Sequence, residues 1–422
     1  MYRHLFFCLV IIFIFSDTLH AEYKSQPNAS PLCLNEAIQK ALEHNPDIHR
    51  VTMEIEESEG RVQQASLWPN PTLDAEAENF SGDNPGFNYS ENTFSITQPL
   101  ILGAKLEKQR TIAEKEKAIL LIELEAVKRE IIMKTEQAFY DVLLEQKRTE
   151  LAERKRAAAQ NRISALQKKP PVISPGYLNA EIALQEAEMD LRESSRNLSA
   201  AKRKLISLLG SRDVISVGEC TGTLDRPFQV PEIETLKDLV EQNNTALLAG
   251  KLKTEKEDWH IALAKAERIP DIDLGFGVRQ FAEDDTYAFV AAVSIPLPVF
   301  NRNQGAIREA LVTRKRVLHE KQTTKRNLLL ELEERYEEFE TLLVKTDILK
   351  TKIIPTLTAY RHDLAREQSP EKHDHDAVFE AAQNLFEAHG SLAETLCLLH
   401  STIAGLENIA GITLHGEKGD IF

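Results

Sequence analysis

The sequence repeats itself once, with an offset of about 200 residues. Residues 32–210 and 234–411 follow one pattern, and six positions of the first half recur in the second after a shift of 199 positions: Asn45, Ile48, Ala65, Pro71, Leu73 and Asp74 return as Asn244, Leu247, Ala264, Pro270, Ile272 and Asp273. A repeat of this length far exceeds the roughly 20–50 residues of a stacked solenoid unit. We therefore predict two copies of a domain-sized half.

The N-terminus has the features of a secretory signal peptide. Arg3 precedes an apolar stretch over 5–15, and Ala21 provides a small residue at a cleavage position. A membrane anchor is the alternative, but an anchor requires about 18 or more consecutive apolar residues. The sequence predicts a signal peptide over 1–21 and an exported mature chain over 22–422.

Charge and motifs exclude several classes of function. The formal net charge is −15, which disfavours nucleic-acid binding and is compatible with the handling of cations. The sequence has no glycine loop of the phosphate-binding type and no nucleophile–base motif. We therefore expect neither an enzyme nor a bound cofactor.

The cysteines carry no metal or redox motif. Cys33, Cys220 and Cys397 remain after removal of the signal peptide, and none belongs to a C-x-x-C pair. Cys33 opens the first helix and Cys220 follows the end of the first repeat, so both are expected near the junction of the short helices, in an oxidising compartment. The sequence predicts a Cys33–Cys220 disulfide with Cys397 as a free thiol; two unpaired cysteines are the alternative.

The first repeat combines a hairpin with a very long helix. Helical periodicity over 34–67 is followed by two alternating runs that predict a β-hairpin over about 72–98. Residues 104–169 then contain no glycine or proline and carry an apolar seam of the coiled-coil type. At 1.5 Å per residue such a helix is roughly 100 Å long. A tip over about 168–176 turns the chain into a helix that returns to Gly210.

The second repeat follows the same plan. A hairpin is predicted over about 271–297, a second long helix over 306–368 with a bend at Pro355, a tip over about 369–376, and a returning helix that ends at Gly411. The fold class is therefore mainly α with a small β part.

The predicted strands have one apolar and one polar face. The polar face carries Asp74, Glu76, Asp271 and Asp273. An apolar face is suited to lipid, but the open edges of a four-stranded sheet are not tolerated there. Three chains would supply 12 strands, so we predict a homotrimer with a closed 12-stranded β-barrel in lipid, continued by a helical barrel, with these carboxylates facing the lumen. Trp68 and Tyr287 are candidates for the membrane interfaces, with ordinary packing as the alternative.

Three motifs connect the chain to a known family. They are residues 34–38 with Ala41, Leu42, Asn45 and Pro46, residues 180–184 after the first tip, and the run Ser-Ile-Pro-Leu-Pro-Val-Phe-Asn-Arg-Asn-Gln-Gly over 294–305. With these motifs the mature chain resembles TolC-like outer-membrane efflux proteins, and the run over 294–305 is similar to the signature of the cobalt–zinc–cadmium resistance branch.

The resemblance implies a location, partners and a mode of action. It implies a homotrimer in the cell outer membrane that extends into the periplasm, a periplasmic membrane-fusion adaptor, and an inner-membrane pump of the resistance–nodulation–division type. It also implies passive conduction, with heavy-metal cations as the exported substrate. The second tip departs from the family pattern Tyr-x-x-Gly-x-x-x-Leu, because residues 366–376 read Arg-Glu-Gln-Ser-Pro-Glu-Lys-His-Asp-His-Asp.

That departure creates a candidate metal site. His373, Asp374, His375 and Asp376 offer the imidazole and carboxylate groups that suit zinc, cobalt or nickel. A solvated polar turn is the alternative. Two other functions stay open for the whole chain: a periplasmic coiled-coil scaffold or adaptor-like protein without a pore, and a drug or secretion duct of the same family.

Overall fold

The structure is a computed structural model that describes residues 31–80, 82–83, 86–167, 175–210, 218–226, 228–366 and 375–413. The predicted signal peptide, most of the first tip and residues 369–374 of the second tip lie outside this part of the chain. The described residues are mainly helical with one small sheet, as predicted.

The elements alternate in the same order in both repeats. The first repeat contains α1 (Leu34–His44), α2 (Pro46–Ala65), β1 (Thr72–Glu78), β2 (Glu91–Leu100), α3 (Lys105–Leu166) and α4 (Pro175–Leu208). The second contains α5 (Ile233–Asn243), α6 (Thr245–Ala266), β3 (Ile272–Phe281), β4 (Thr286–Ser294), α7 (Gln304–Ile348), α8 (Ile354–Arg366) and α9 (His375–Ala410). A short 3₁₀ turn, Gly86–Tyr89, precedes β2.

The four strands form one antiparallel sheet in the order β1-β2-β3-β4. Each repeat supplies one hairpin, and the central pairing of β2 with β3 joins the repeats, with Phe94 opposite Val278 and Ile96 opposite Phe276. Strands β1 and β4 therefore form the two edges of the sheet.

The helices form a layer with α3 at its middle. On one side α3 packs against α2 and α4, and on the other side it packs against α6 and α9. Helix α7 packs against α6 and α9 on their far side. Helices α2 and α7 therefore lie at opposite edges of the layer, as β1 and β4 do in the sheet.

The apolar core has two clusters, each centred on one repeat, and the first also includes Ala393 and Cys397 of α9. The first is formed where α1, α3 and α4 meet and includes Phe139 and Leu205. The second includes Leu236, Leu332 and Leu406 and joins α5, α7 and α9. Both clusters lie at the level where two short helices meet end to end beside one long helix.

Equivalent asparagine side chains form the hydrogen bonds at the junction of the short helices in both repeats. Asn45 separates α1 from α2, accepts a hydrogen bond from the backbone N–H of Asp47, and donates from Nδ2 to the carbonyl oxygen of Leu208 at 3.1 Å. Asn244 does the same in the second repeat, with a bond of 2.8 Å to the carbonyl oxygen of Ile409. Gly210 and Gly411, both at φ +68°, then close the returning helices against these junctions.

The second long helix is interrupted just before Pro355 and not at the proline itself. Residues Leu349–Ile353 form a π-helical turn, and α8 begins directly after it, with Pro355 in its first turn. Proline has no N–H to donate to the carbonyl four residues before it, and its ring pushes that carbonyl away. The hydrogen-bond ladder is therefore rearranged in the turn before Pro355.

The predicted Cys33–Cys220 disulfide is wrong. Cys33, Cys220 and Cys397 are all free thiols, although the chain near Cys33 does meet the chain near Cys220. The residue that pairs with Cys220 is Leu32, in a parallel bridge, and neighbouring residues of an extended chain point to opposite sides. Cys220 is therefore buried while Cys33 is exposed.

Thiol labelling tests this arrangement. Burial raises the pKa of the Cys220 thiol to about 11, and burial together with the nearby Asp141 carboxylate raises the pKa of Cys397 to about 12. At pH 8 a thiol with a pKa of 11 is roughly one part in a thousand thiolate, and thiolate is the reactive form. We expect a maleimide to modify Cys33 alone in the native protein processed after Ala21, and all three cysteines after denaturation without reductant. A mass shift that corresponds to only one label after denaturation would mean that Cys33 and Cys220 form a disulfide after all.

Candidate functional site

One face of the sheet is mainly apolar, with Asn92 and Gln98 of β2 near its two ends. Residues of this face alternate along all four strands and stand opposite one another in register. They are Leu73, Ala75, Ala77, Phe94, Ile96, Leu274, Phe276, Val278, Phe289, Ala291 and Val293. Leu73 is 76% exposed, Phe276 67% and Phe289 95%. Because an exposed apolar surface of this extent is rare in a water-soluble monomer, the face is suited to lipid or to a partner.

The opposite face of the sheet carries polar and small residues, and most of its charged residues are acidic. Asp74 accepts hydrogen bonds from the hydroxyls of Thr97 at 3.1 Å and Thr72 at 3.4 Å. Glu76 lies an even number of residues from Asp74 on β1 and therefore points to the same side. Asp273 lies an even number of residues from Arg279 on β3, and the Arg279 guanidinium reaches Glu78 on this side, so Asp273 also belongs to this face. The structure therefore places three of the four predicted carboxylates on one side of the sheet.

Asp271, the fourth predicted carboxylate, lies just before β3 rather than on it. Its Oδ1 accepts hydrogen bonds from the backbone N–H of Leu102 at 2.9 Å and from Lys105 Nζ at 2.8 Å. Burial acts to raise the pKa of the Asp271 carboxyl, but these two hydrogen bonds outweigh it and hold the pKa below its usual value. Asp271 thus anchors the start of α3 to the start of β3, and its charge is compensated.

Arg279 is a residue of the polar face that the sequence analysis did not single out. Its guanidinium bonds Glu91 on β2 at 2.9 Å and Glu78 on β1 at 3.3 Å, and its Nε donates to the Thr93 hydroxyl at 2.9 Å. The signal in the sequence for this role was that Arg279 is the single arginine among the alternating residues of β3. Arg279 compensates two carboxylates at the end of the sheet that is remote from the helices.

Two aromatic residues lie near opposite ends of the sheet. Trp68 precedes β1 on the side of the helices and is 58% exposed, while Tyr287 lies near the start of β4 on the side of the loops and is 65% exposed. This spacing fits the two interfaces of a membrane, where amphipathic rings are enriched.

The two edges of the sheet are open in the described residues. Strand β1 pairs only with β2 and strand β4 only with β3. Unpaired backbone groups are not stable in hydrocarbon, because each costs several kcal/mol there. If the apolar face meets lipid, another chain has to pair with both edges.

The proposed metal ligands at the second tip lie beyond what can be described. His373 and Asp374 are outside the described residues, and of His375 and Asp376 only the backbone, at the start of α9, is described. Within the described ranges, no group of three or more histidine, cysteine, aspartate or glutamate residues is arranged to hold a metal ion. In the same ranges, no helix is long and apolar enough to cross a membrane.

Comparison with known proteins identifies relatives of the chain. Residues 37–211 match the family model described as "Outer membrane efflux protein". The chain is 27% identical over 314 residues to the cobalt-zinc-cadmium resistance protein CzcC of Cupriavidus metallidurans, covering 72% of each chain. It is 21% identical over 282 residues to the nickel-cobalt-cadmium resistance protein NccC of Alcaligenes xylosoxydans xylosoxydans, covering 65% of this chain and 62% of the relative.

A solved structure has the same fold. A crystal structure of CusC superposes with a TM-score of 0.74 at 15% identity, covering 90% of this chain and 92% of the other.

Proposed function

We propose that this chain, which matches the outer membrane efflux protein family over residues 37–211, is the exit duct of a tripartite efflux system that exports heavy-metal cations. The protein is located in the outer membrane and extends into the periplasm. The matched family is described as efflux proteins, and the two relatives are named as resistance proteins.

The observation that carries the proposal is the two-faced sheet with open edges. Three copies, joined β4 to β1, give 12 strands and leave no edge unpaired, with the apolar face outward and the acidic face inward. Twelve strands spaced about 4.8 Å apart and tilted by about 40° enclose a barrel with a backbone radius of roughly 12 Å. Such a barrel holds water along its axis.

The order of the helices supports the same closure. Each edge strand lies on the same side of the chain as one edge helix: α2 leads into β1, and α7 follows β4. A neighbour that pairs its β1 with β4 therefore also brings its α2 towards α7. Sheet and helices would close together into one continuous cylinder.

The lumen of this cylinder would favour cations. Asp74, Glu76 and Asp273 have no basic partner among the described residues, and three chains repeat them around the axis. Because charges are screened over about 8 Å at physiological salt, the preference inside a wide pore is modest.

The substrate class and the partners rest on the relatives. CzcC and NccC are named as resistance proteins for cobalt, zinc and cadmium and for nickel, cobalt and cadmium. The duct would be passive, and a resistance–nodulation–division pump in the inner membrane would supply the energy through a membrane-fusion adaptor. The tips over 168–176 and 369–376 are the proposed docking ends, and metal binding by residues 373–376 stays a prediction.

Growth and conductance together test the proposal. We expect a strain that lacks this gene to lose tolerance to zinc, cobalt or cadmium while its tolerance to hydrophobic drugs is unchanged, and the purified protein to be a trimer that conducts ions in planar bilayers. Loss of drug tolerance alone would reassign the substrate. A soluble elongated protein without conductance would indicate the periplasmic scaffold instead.

Arg279 offers a specific test of the lumenal face. Replacing it by glutamine removes the compensation of Glu78 and Glu91, so we expect the cation-to-anion permeability ratio to rise roughly two- to threefold in dilute salt. Reversal potentials across a bilayer under a salt gradient measure this ratio. Arg302→Gln is the control, because Arg302 is exposed outside the sheet. An unchanged reversal potential for Arg279→Gln would place Arg279 outside the conducting path.

A further inference from the structure

Helix α2 has one partnered side and one open side. Ile48, Val51 and Ser58 are buried against α3. At 3.6 residues per turn, Met53 points away from that contact, and it is 67% exposed. Glu56 and Glu57 flank Met53 on the same open side, where Glu57 also pairs with Arg61 of its own helix at 2.7 Å. We call Met53, Glu56 and Glu57 the acidic edge.

Helix α7 has a corresponding open side at the other edge of the layer. Val317 is buried against α6, and Arg314 bonds Asp258 of α6 at 2.5 Å. Val312 and Lys315 turn away from this contact, and Val312 is 58% exposed. Lys315 has no ion-pair partner in the part of the chain that the structure covers. We call Val312 and Lys315 the basic edge.

The net charges of these helices are opposite. Helix α2 contains five acidic residues and two arginines, a net charge of −3. The first 21 residues of α7, 304–324, contain five basic and two acidic residues, a net charge of +3. Two copies of α2 would repel each other, as would two copies of this part of α7, whereas α2 and α7 attract.

The repeat shows how such edges pair. Helix α6 is the counterpart of α2, and it lies between α7 of its own repeat and α3 of the other repeat. Its contact with α3 includes two ion pairs: Lys115 Nζ lies 2.7 Å from Glu255 Oε2, and Lys256 Nζ lies 3.3 Å from Glu116 Oε1. The side of α6 that meets α3 is the side that α2 leaves open.

The shift of 199 positions between the repeats predicts which residues of α7 and α2 are equivalent to these pairs. Ala104 and Asn303, the left-handed residues before α3 and α7, obey the same shift, so the two long helices are in register. Glu255 and Lys115 correspond to Glu56 and Arg314, but Arg314 bonds Asp258 of its own chain, so this first pair does not carry over. Lys256 and Glu116 correspond to Glu57 and Lys315, with both signs reversed and the attraction kept.

We propose that a second copy of this chain places its acidic edge against the basic edge, with Glu57 paired to Lys315. The contact rests on the proposed trimer and repeats the α3–α6 contact between chains. Its direction is fixed by charge, since the acidic edge of each copy accepts only the basic edge of the next. This polarity permits a closed ring and disfavours symmetric dimers.

Cross-linking with paired cysteines tests the contact. In a Cys33→Ser background, Glu57→Cys with Lys315→Cys is treated in membranes with a short bifunctional maleimide, and products are separated under denaturing conditions. We expect covalent dimers and trimers. Glu116→Cys with Lys256→Cys is the matched control, because its positions face each other within one chain, and it is expected to give an internal link without a change of chain number.

Charge reversal provides the second measurement. Glu57→Lys and Lys315→Glu are each expected to lower the trimer fraction in dilute salt about tenfold, because each creates repulsion at three contacts, and the two together are expected to restore it. Glu107→Lys with Glu123→Lys on α3, in the middle of the layer, is the control and should leave the trimer intact.

The outcomes separate this contact from the proposed function. A trimer that shows no cross-link between positions 57 and 315, and no rescue by the double reversal, would overturn the contact and leave the duct standing. A native protein that is monomeric in the outer membrane would overturn both.

Discussion

Ala291→Arg is expected to reduce the amount of assembled protein in the outer membrane by roughly 30-fold to several hundredfold. Ala291 lies near the middle of β4 on the apolar face, opposite Phe276. An arginine that faces lipid near the midplane of a barrel costs about 2–4 kcal/mol, and every 1.4 kcal/mol is about a factor of ten. Membrane fractionation followed by quantification of the trimer measures the effect.

The neighbouring alanine is the control for this prediction. Ala292 is also exposed, lies in the same strand and points to the polar face, where it stands opposite Gly275. Ala292→Arg places the same charge in water and is expected to leave assembly within about twofold of the native level. Equal loss for both variants would mean that the apolar face does not meet lipid.

Gly210→Ala is expected to destabilise the protein by about 3 kcal/mol or more. Gly210 has φ +68°, which is strained for a residue with a side chain, and a Cβ there would collide with the carbonyl group of His44 at the α1–α2 junction. Backbone at a packed junction cannot move aside, so the clash adds to the strain. Denaturant unfolding of the detergent-solubilised protein measures the loss.

Two further glycines provide comparisons for this prediction, one equivalent to Gly210 and one in a different environment. Gly411 is the counterpart of Gly210, with the same φ and a Cβ position 2.6 Å from the carbonyl oxygen of Asn243, so Gly411→Ala is expected to be similarly harmful. Gly390 lies inside α9 and its nearest neighbour, Leu151, is 4.0 Å away. Gly390→Ala is therefore expected to stabilise the protein by about 0.5–1 kcal/mol. A neutral Gly210→Ala would contradict the junction described above.

Much of the fold follows from local patterns in the sequence. Alternation over residues 272–278 predicts a strand and assigns Phe276 and Val278 to one face, because successive residues of a strand point to opposite sides. The absence of glycine and proline over 104–169 predicts one long helix, and α3 runs over Lys105–Leu166. These features depend on neighbouring residues only.

Other features depended on contacts that the sequence does not display. Cys33 and Cys220 were expected to be close, but the bridge between Leu32 and Cys220 decides which side chain is buried. The π-helical turn arises before Pro355 because the missing N–H acts on an earlier carbonyl. Arg279 could not be distinguished from an ordinary solvated residue until the register placed Glu78 and Glu91 beside it.

The duplication also has an evolutionary consequence for the proposed ring. A half-length protein would have to assemble as six identical units with six identical boundaries, and any mutation would change all of them at once. In the duplicated chain only every second boundary lies between chains. The signs of the Lys256–Glu116 pair are reversed at the equivalent positions, Glu57 and Lys315, so the two kinds of boundary in the proposed ring differ in sequence. Duplication therefore allows the boundary within the chain to stay covalently joined while the boundary between chains evolves separately.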